Sequence, residues 1–189
     1  MSIKRAFIIH GWDGVPDDAW KPWLKEELEK ESIKVIAPQL PGGQNPKLNE
    51  WLNVLSKEIG NPDKEDIFIG HSLGCMAICR YLEQLPINKK VGGCFFVSGF
   101  ISSLGFKEIE NFFVPPCDLS KVSSHSSFFI AINSDNDPYV PLAKAEEIRQ
   151  KLNARLIIEH SQGHINEDSG TKILPSLLNA IKEYQNALA

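Results

Sequence analysis

Residues 67–74, Ile-Phe-Ile-Gly-His-Ser-Leu-Gly, are the stretch that decides the fold of this chain. Ile-Phe-Ile predicts a short buried strand, and the apolar residues from Leu73 onward recur at the spacing of a helix. Ser72 lies between the two, in a turn flanked by Gly70 and Gly74. Positions without side chains let strand and helix approach each other, while the tight turn strains the backbone of the serine. The stretch therefore predicts a strand, a sharp turn and a helix.

On both sides of this stretch, short apolar runs alternate with longer segments of helical period. That alternation is typical of a parallel sheet with crossover helices. Six strands are predicted, at residues 6–9, 33–37, 67–69, 94–97, 128–132 and 156–158. Most are continuously apolar, as strands buried on both faces are. We therefore expect an α/β fold, a three-layer sandwich with a mostly parallel central sheet of about six strands, in a single domain at residues 1–189.

The segment at residues 99–127 breaks this rhythm. It combines pairs of serines, phenylalanines and prolines without a sustained period, which predicts an insertion over the sheet. Phe106, Phe112 and Phe113 are too apolar for a solvated loop. They either pack in the core or line a pocket for an apolar substrate group, and Phe112 and Phe113 are candidates for such a pocket.

Composition limits the partners and the location of the protein. The net charge is −4, so no basic field exists that could hold a nucleic acid backbone. The first apolar run, residues 6–9, is too short for a signal peptide, and no later run approaches the roughly 20 residues of a membrane span. The sequence predicts a cytoplasmic protein without a membrane span.

The four cysteines form no Cys-x-x-Cys pair and are expected to be buried, inert thiols.

Ser72 is the candidate nucleophile, because Gly-x-Ser-x-Gly between a strand and a helix is the context of a nucleophile elbow. The alternative is a glycine-rich loop in which Ser72 caps the following helix. A serine hydroxyl is a poor nucleophile near neutral pH. It needs a histidine to take its proton and a carboxylate to hold the imidazole in the right tautomer.

His164 has the best context for the base, because it follows the last predicted strand and precedes the last helix. His160 lies four residues earlier, a spacing that could form a metal pair on a helix. Gly163 and the preceding strand argue against a helix there, and His-Glu-x-x-His is absent, so no metal is expected.

The other three histidines receive structural or pocket interpretations. His10 and His71 stand beside glycines in two motif loops and are interpreted as residues that shape those loops. His10 is also a candidate for the substrate pocket. His125 lies in a serine-rich stretch and is expected to be exposed to solvent.

The candidate acid lies just after the fifth predicted strand, where Asp135 and Asp137 flank Asn136. Asp137 precedes Pro138, which favours an extended conformation that lets its carboxylate point toward the base. Residues two apart in an extended chain share a face, so alternation alone cannot choose between the aspartates. A turn with Asx caps is the competing interpretation of this segment.

Taken together, these motifs resemble those of the α/β-hydrolase superfamily, and more narrowly its small capless serine hydrolases, the retinoblastoma-binding-protein-9-like group. The resemblance covers essentially the whole chain and rests on His10-Gly11-Trp12, Gly70-His71-Ser72-Leu73-Gly74, Asp137-Pro138-Tyr139-Val140-Pro141 and Gly163-His164. It implies a minimal α/β-hydrolase fold and Asp137 as the acid, since the acid of relatives stands in Asp-x-x-Val-Pro. It also implies an oxyanion hole formed by the backbone amides of Trp12 and Leu73.

The predicted function is hydrolysis of a small ester, thioester or amide through an acyl-Ser72 intermediate, without a cofactor. The expected partner is a small-molecule acyl substrate. Members of the resembling group have been linked to protein partners, so an interaction module on a hydrolase scaffold is the alternative, although pure binding would need none of the three triad residues. A nucleotide-binding domain is disfavoured, because neither Gly-x-Gly-x-x-Gly nor Gly-Lys-Ser/Thr follows any predicted strand.

Overall fold

Six strands form one sheet in the computed structural model, which describes residues 2–188 with the exception of the side chain of Ser127. The strands are β1 (Arg5–Ile9), β2 (Lys34–Ile36), β3 (Asp66–His71), β4 (Val91–Val97), β5 (Ser126–Ser134) and β6 (Arg155–Glu159). Their order in the sheet is β2-β1-β3-β4-β5-β6, and every neighbouring pair is parallel. The predicted α/β class and strand number are confirmed.

Helices cover both faces of the sheet and complete the three layers. They are α1 (Lys21–Lys30), α2 (Leu48–Ile59), α3 (Leu73–Leu82), α4 (Leu119–His125), α5 (Leu142–Leu152) and α6 (Pro175–Leu188). Alternate strand residues point to opposite faces, so the sheet carries two apolar cores. The core on one face contains apolar residues of α2, α3, α4 and α5, and the core on the other contains those of α1 and α6. Because the strands are parallel, their carboxyl ends meet at one edge of the sheet.

Two glycines allow the close packing of the turn between β3 and α3. A Cβ atom on Gly74 would lie 2.3 Å from the carbonyl oxygen of Ile9 on β1. A Cβ atom on Gly70 would lie 2.8 Å from the Cα atom of Cys75 on α3. Both neighbours are backbone atoms that cannot rotate away, so the strand-turn-helix requires glycine at these positions.

The insertion at residues 99–127 is more regular than its sequence suggests. It contains a short 3-10 helix (Glu110–Phe112) and α4, and its end belongs to β5. The expectation that His125 is exposed is wrong: the residue is buried, and its Nδ1 lies 2.8 Å from the carbonyl oxygen of Lys89. His125 is the last residue of α4, and β5 begins at the next residue. Its ring therefore packs inside the structure and not in solvent.

The four cysteines are free thiols that differ in burial. Cys75, Cys79 and Cys94 are buried free thiols, and Cys117 is half-buried. Burial raises the pKa of Cys94 and of Cys117 to about 12, so neither is a thiolate near neutral pH.

Within residues 2–188, no helix has both the length and the apolar character that crossing a membrane would need.

Candidate active site

Ser72 occupies the turn at the carboxyl end of β3, one residue before α3 begins. Its backbone has φ 53° and ψ −122°, a conformation that residues other than glycine rarely adopt. The amide of Ser72 donates to the carbonyl oxygen of Val97 at 2.9 Å, which ties the turn to β4. The side chain of Ser72 makes no capping hydrogen bond to α3, so the helix-cap interpretation is not supported. Strain held by the surrounding structure is typical of functional residues.

His164 and Asp137 form a buried pair in the loops that follow β6 and β5. Nδ1 of His164 lies 2.8 Å from Oδ2 of Asp137, whose side chain is fully buried. The other oxygen, Oδ1, accepts hydrogen bonds from the amides of Tyr139 at 2.9 Å and Val140 at 3.0 Å. A carboxylate held in this way keeps the proton on Nδ1 of the imidazole, and Nε2 of a neutral ring is then the atom that can accept a proton.

Asp135 and His160 form a second, separate pair at the surface. Oδ2 of Asp135 lies 2.6 Å from Nδ1 of His160, and Oδ1 accepts from the amide of Ser161 at 2.9 Å. These contacts, with the Ser161 amide as the larger cause, lower the pKa of Asp135. His160 is 82% exposed at its side chain, whereas His164 lines the same cavity as Ser72. The two histidines thus bind different carboxylates, and residues 2–188 contain no cluster of three or more metal-ligating His, Cys, Asp or Glu side chains.

A cavity of about 650 Å³ opens above Ser72 and His164. One wall is apolar and is formed by Trp12, Phe100, Leu104, Phe106, Ile109 and Val140. The rings of Trp12 and Phe106 pack with centroids 5.6 Å apart, and Phe106 remains 39% exposed. A polar part of the lining, the polar wall, includes Asp18, Lys21, Asn166, Glu167 and Asp168. The cavity therefore offers both apolar and charged surface to a ligand.

Three of the candidate pocket residues do not line this cavity. Phe112 is fully buried, with its ring 5.1 Å from that of Trp51, and Phe113 stacks on Phe100 at 5.7 Å. Both phenylalanines belong to the core beneath the apolar wall. His10 is also buried. Its Nδ1 lies 2.8 Å from the carbonyl oxygen of Gly11 and its Nε2 accepts from an amide of the neighbouring loop at 2.9 Å, so the ring shapes that loop. The pocket prediction is corrected for these three residues.

The amides of Trp12 and Leu73 stand near the serine. Leu73 is the first residue of α3, so its N–H has no acceptor within the helix. A Cβ atom on Gly11 would lie 2.9 Å from Cβ of Ser72, so the missing side chain lets the loop carrying Trp12 approach the serine. Neither amide donates to a backbone or side-chain acceptor within the described part of the chain. Both are therefore free to bind an oxygen of a ligand.

Lys21 is a cavity residue that no pattern in the sequence indicates. Its side chain is only 2% exposed, lines the polar wall and forms an ion pair with Asp18. Burial lowers the pKa of Lys21, although the contact with Asp18 acts against that shift. Lysines are rarely buried, so a lysine in a helix is expected to be solvated. The local pattern of α1 does not distinguish Lys21 from the solvated lysines of the same helix.

Comparison with known proteins places this geometry in a family. The family model described as serine hydrolase matches residues 6–183. The ydeN gene product of Bacillus subtilis is 31% identical over 182 residues, 96% of each chain. Its crystal structure covers 96% of this chain and 98% of its own, with a TM-score of 0.91. The serine hydrolase RBBP9 of Rattus norvegicus is 27% identical over 168 residues, 86% of this chain and 88% of its own.

A more distant structure agrees on the fold. Est1E from Butyrivibrio proteoclasticus superposes with a TM-score of 0.70 at 13% identity, covering 99% of this chain and 87% of its own. At that identity only the fold is shown. The close relatives and the family model confirm the resemblance suggested by the motifs, and the chain belongs to the serine hydrolase family with an α/β-hydrolase fold.

Proposed function

We propose that this protein hydrolyses a small ester, thioester or amide through a covalent acyl-Ser72 intermediate. In this proposal Ser72 is the nucleophile, His164 the general base and Asp137 the acid that orients the imidazole. The observation that carries it is the buried contact of 2.8 Å between His164 and Asp137, formed at the cavity that Ser72 also lines. A pure binding surface would need neither the strained serine nor the buried pair.

The first half of the reaction forms the acyl-enzyme. Oγ of Ser72 attacks the carbonyl carbon of the substrate while Nε2 of His164 takes the hydroxyl proton. The imidazolium that results is stabilised by the carboxylate of Asp137, which accepts from Nδ1. His164 then gives the proton to the leaving oxygen, sulfur or nitrogen, and the bond between the carbonyl carbon and that atom breaks.

The amides of Trp12 and Leu73 are proposed to bind the oxygen that becomes negative during the attack. Such donors act most strongly when they already point at the developing charge, and the loss of one costs about 100-fold to 1,000-fold in rate in enzymes of this kind. The helix dipole of α3 adds to the positive potential at the amide of Leu73.

The second half of the reaction releases the acid. Water attacks the acyl carbonyl carbon, His164 takes one proton from that water, and the same proton returns to Oγ of Ser72 as the ester bond breaks. None of these steps calls for a group beyond this chain, the substrate and water.

A fluorophosphonate probe, which reacts with activated serines, tests the proposal directly. We expect the native protein to be labelled on Ser72 alone, as mapped by mass spectrometry, and the heat-unfolded protein to remain unlabelled. A chromogenic ester should compete with the probe and should be hydrolysed. Native protein that neither reacts with the probe nor hydrolyses any ester of a chain-length panel would favour the interaction-module alternative.

The apolar wall leads to a prediction about acyl preference. Phe106→Ala removes the exposed ring that packs on Trp12, so the variant should lose apolar contact with the acyl group. We expect kcat/KM for long-chain or aromatic esters to fall about tenfold relative to acetate esters, because burying a large apolar group contributes roughly 1.5–3 kcal/mol. Ile87→Ala is the control, since Ile87 is 89% exposed and does not line the cavity. An unchanged chain-length profile in Phe106→Ala would contradict this role of the wall.

Two further proposals concern location and partners. The buried, protonated thiols fit a reducing compartment and support a cytoplasmic location. The net charge of −4 and the size of the cavity, about 650 Å³, support a small-molecule substrate over a nucleic acid.

A further inference from the structure

The loop that carries His164 has a backbone conformation it could not hold alone. Ile165 has φ 49°, and β-branched residues rarely adopt a left-handed conformation. Gly163, on the other side of His164, also has a positive φ of 55°. His164, the proposed base, thus lies between two residues whose backbone is left-handed, in a loop without helix or strand hydrogen bonds. Strain of this kind persists only where the surroundings impose it.

Three buried side chains donate to the carbonyl oxygens of this loop. Nε2 of His71 lies 3.0 Å from the carbonyl oxygen of His164, and Oγ of Ser98 donates to the same oxygen at 2.9 Å. Nε1 of Trp20 donates to the carbonyl oxygen of Ile165 at 3.0 Å. All three donors are at least nine-tenths buried, so their hydrogen bonds are largely shielded from water.

The donors come from the ends of two neighbouring strands and from the segment before α1. His71 is the last residue of β3 and the neighbour of Ser72, and Ser98 directly follows β4. The amide of Ser98 donates to the carbonyl oxygen of Ile132 on β5 at 2.8 Å. Trp20 precedes α1, and its ring makes an edge contact with that of His71, with centroids 6.2 Å apart. Through His71 and Ser98, the base loop is therefore fixed to β3 and β4, the strands that also place the nucleophile.

We propose that His71, Ser98 and Trp20 are positioning residues that hold the backbone of His164 and Ile165, and so keep the imidazole of His164 aligned for proton transfer from Ser72. This proposal rests on the proposed function. It adds residues outside the triad whose hydrogen bonds, rather than their bulk, set the rate of the reaction.

A neutral His71 can fill this role without adding a charge beside the base. Its Nε2 carries the proton that it donates, and its ring lies 5.0 Å from that of His164, which becomes an imidazolium during catalysis. Burial lowers the pKa of His71 well below its usual value, and the nearby groups His164, Lys21 and His10 lower it further. Because His71 is neutral, the imidazolium of His164 does not face a second positive charge at close range.

Variants that remove one donor at a time test the proposal. Trp20→Phe and Ser98→Ala each remove a single hydrogen bond to the loop, and His71→Leu removes another. His71→Gln keeps an N–H near the position of Nε2 and serves as the conservative rescue. The matched control is Trp51→Phe, because Nε1 of buried Trp51 also donates to a carbonyl oxygen, that of Pro41 at 2.8 Å, but outside the base loop.

The expected result is a loss in kcat with little change in KM. A displacement of about 1 Å can cost about 100-fold in rate. We expect kcat and the rate of fluorophosphonate labelling to fall about 100-fold in His71→Leu and about tenfold in Ser98→Ala and Trp20→Phe. KM should stay within about threefold in all variants. His71→Gln should recover most of the loss, and Trp51→Phe should lower only the midpoint of thermal unfolding.

The outcomes separate this proposal from the proposed function. If Ser98→Ala and Trp20→Phe lose thermal stability as Trp51→Phe does but keep the kcat of the unmodified protein, the positioning role is overturned, whether or not His71→Leu folds. If His71→Gln is as slow as His71→Leu, the hydrogen bond is not what His71 supplies. An unmodified protein without turnover or labelling would overturn the proposed function itself, and the positioning role with it.

Discussion

Ser72→Ala is expected to lower kcat on an activated ester on the order of a million-fold, the scale found when the nucleophile of a serine protease triad is removed. The variant has no oxygen that can form the acyl bond, so the covalent route is closed. Binding in the cavity and the amides of Trp12 and Leu73 remain, and they leave a small residual rate above that in water. The measurement is steady-state turnover together with probe labelling, which should disappear.

The same substitution should hardly change stability. The Ser72 side chain does not cap α3, and alanine meets the same backbone strain at φ 53° as serine does. We expect the midpoint of thermal unfolding to move by less than about 2 °C, the shift that corresponds to less than about 1 kcal/mol in a chain of this size.

Ser126→Ala is a matched control for this test. Ser126 is a buried serine at the amino end of β5, where its hydroxyl donates to the carbonyl oxygen of Gly92 at 3.0 Å. Its loss should lower stability by about 1 kcal/mol and leave turnover per folded molecule unchanged. Turnover by Ser72→Ala close to that of the native protein would show that another residue attacks the substrate.

The strands of this fold were predictable because each one leaves a local pattern. The run Ile67-Phe68-Ile69 predicts a buried strand from the local sequence. The structure has a strand at the same place and extends it to Asp66–His71. The parallel arrangement follows from the alternation with helices, since each crossover must return the chain to the same end of the sheet. These features depend on neighbours within one element.

The lining of the cavity depends on contacts between distant elements, and the sequence carries little signal for those. Phe106, Phe112 and Phe113 are equally apolar, yet only Phe106 reaches the cavity, because the 3-10 helix turns Phe112 toward Trp51 and leaves Phe113 on Phe100. The prediction that His125 is exposed is wrong for the same reason, since a serine-rich stretch indicates a solvated segment and carries no signal for the contact with Lys89.

The choice between Asp135 and Asp137 as the acid cannot be made from the local sequence pattern. Two residues apart, they share a face in an extended chain, and each is followed by a histidine at a similar distance along the sequence. The structure joins Asp135 to exposed His160 and Asp137 to buried His164. The turn at Pro138 decides this, because it brings the amides of Tyr139 and Val140 onto Asp137 and so turns its carboxylate inward.

Asp137→Asn is therefore expected to lower kcat about 10,000-fold, the scale found when a triad acid is neutralised. An asparagine can keep its Oδ1 on the amides of Tyr139 and Val140, which places Nδ2 where Oδ2 now meets His164. Nδ2 is a donor, so Nδ1 of His164 must become an acceptor and the ring proton moves to Nε2. A ring protonated on Nε2 cannot take the proton of Ser72. The fold should survive, because the substitution is nearly isosteric.

Asp135→Asn is the matched control, since it makes the same chemical change in the pair formed with His160. That pair lies at the surface, and neither of its members lines the cavity of Ser72. We expect kcat to stay within about twofold of the native value, because the tautomer of a histidine outside the site does not enter the reaction. Turnover of one activated ester by both purified variants, with circular dichroism to verify folding, is the measurement. An inactive Asp135→Asn beside an active Asp137→Asn would reassign the acid, whereas the roles of Ser72 and His164 could still stand, since they rest on the elbow and on the shared cavity.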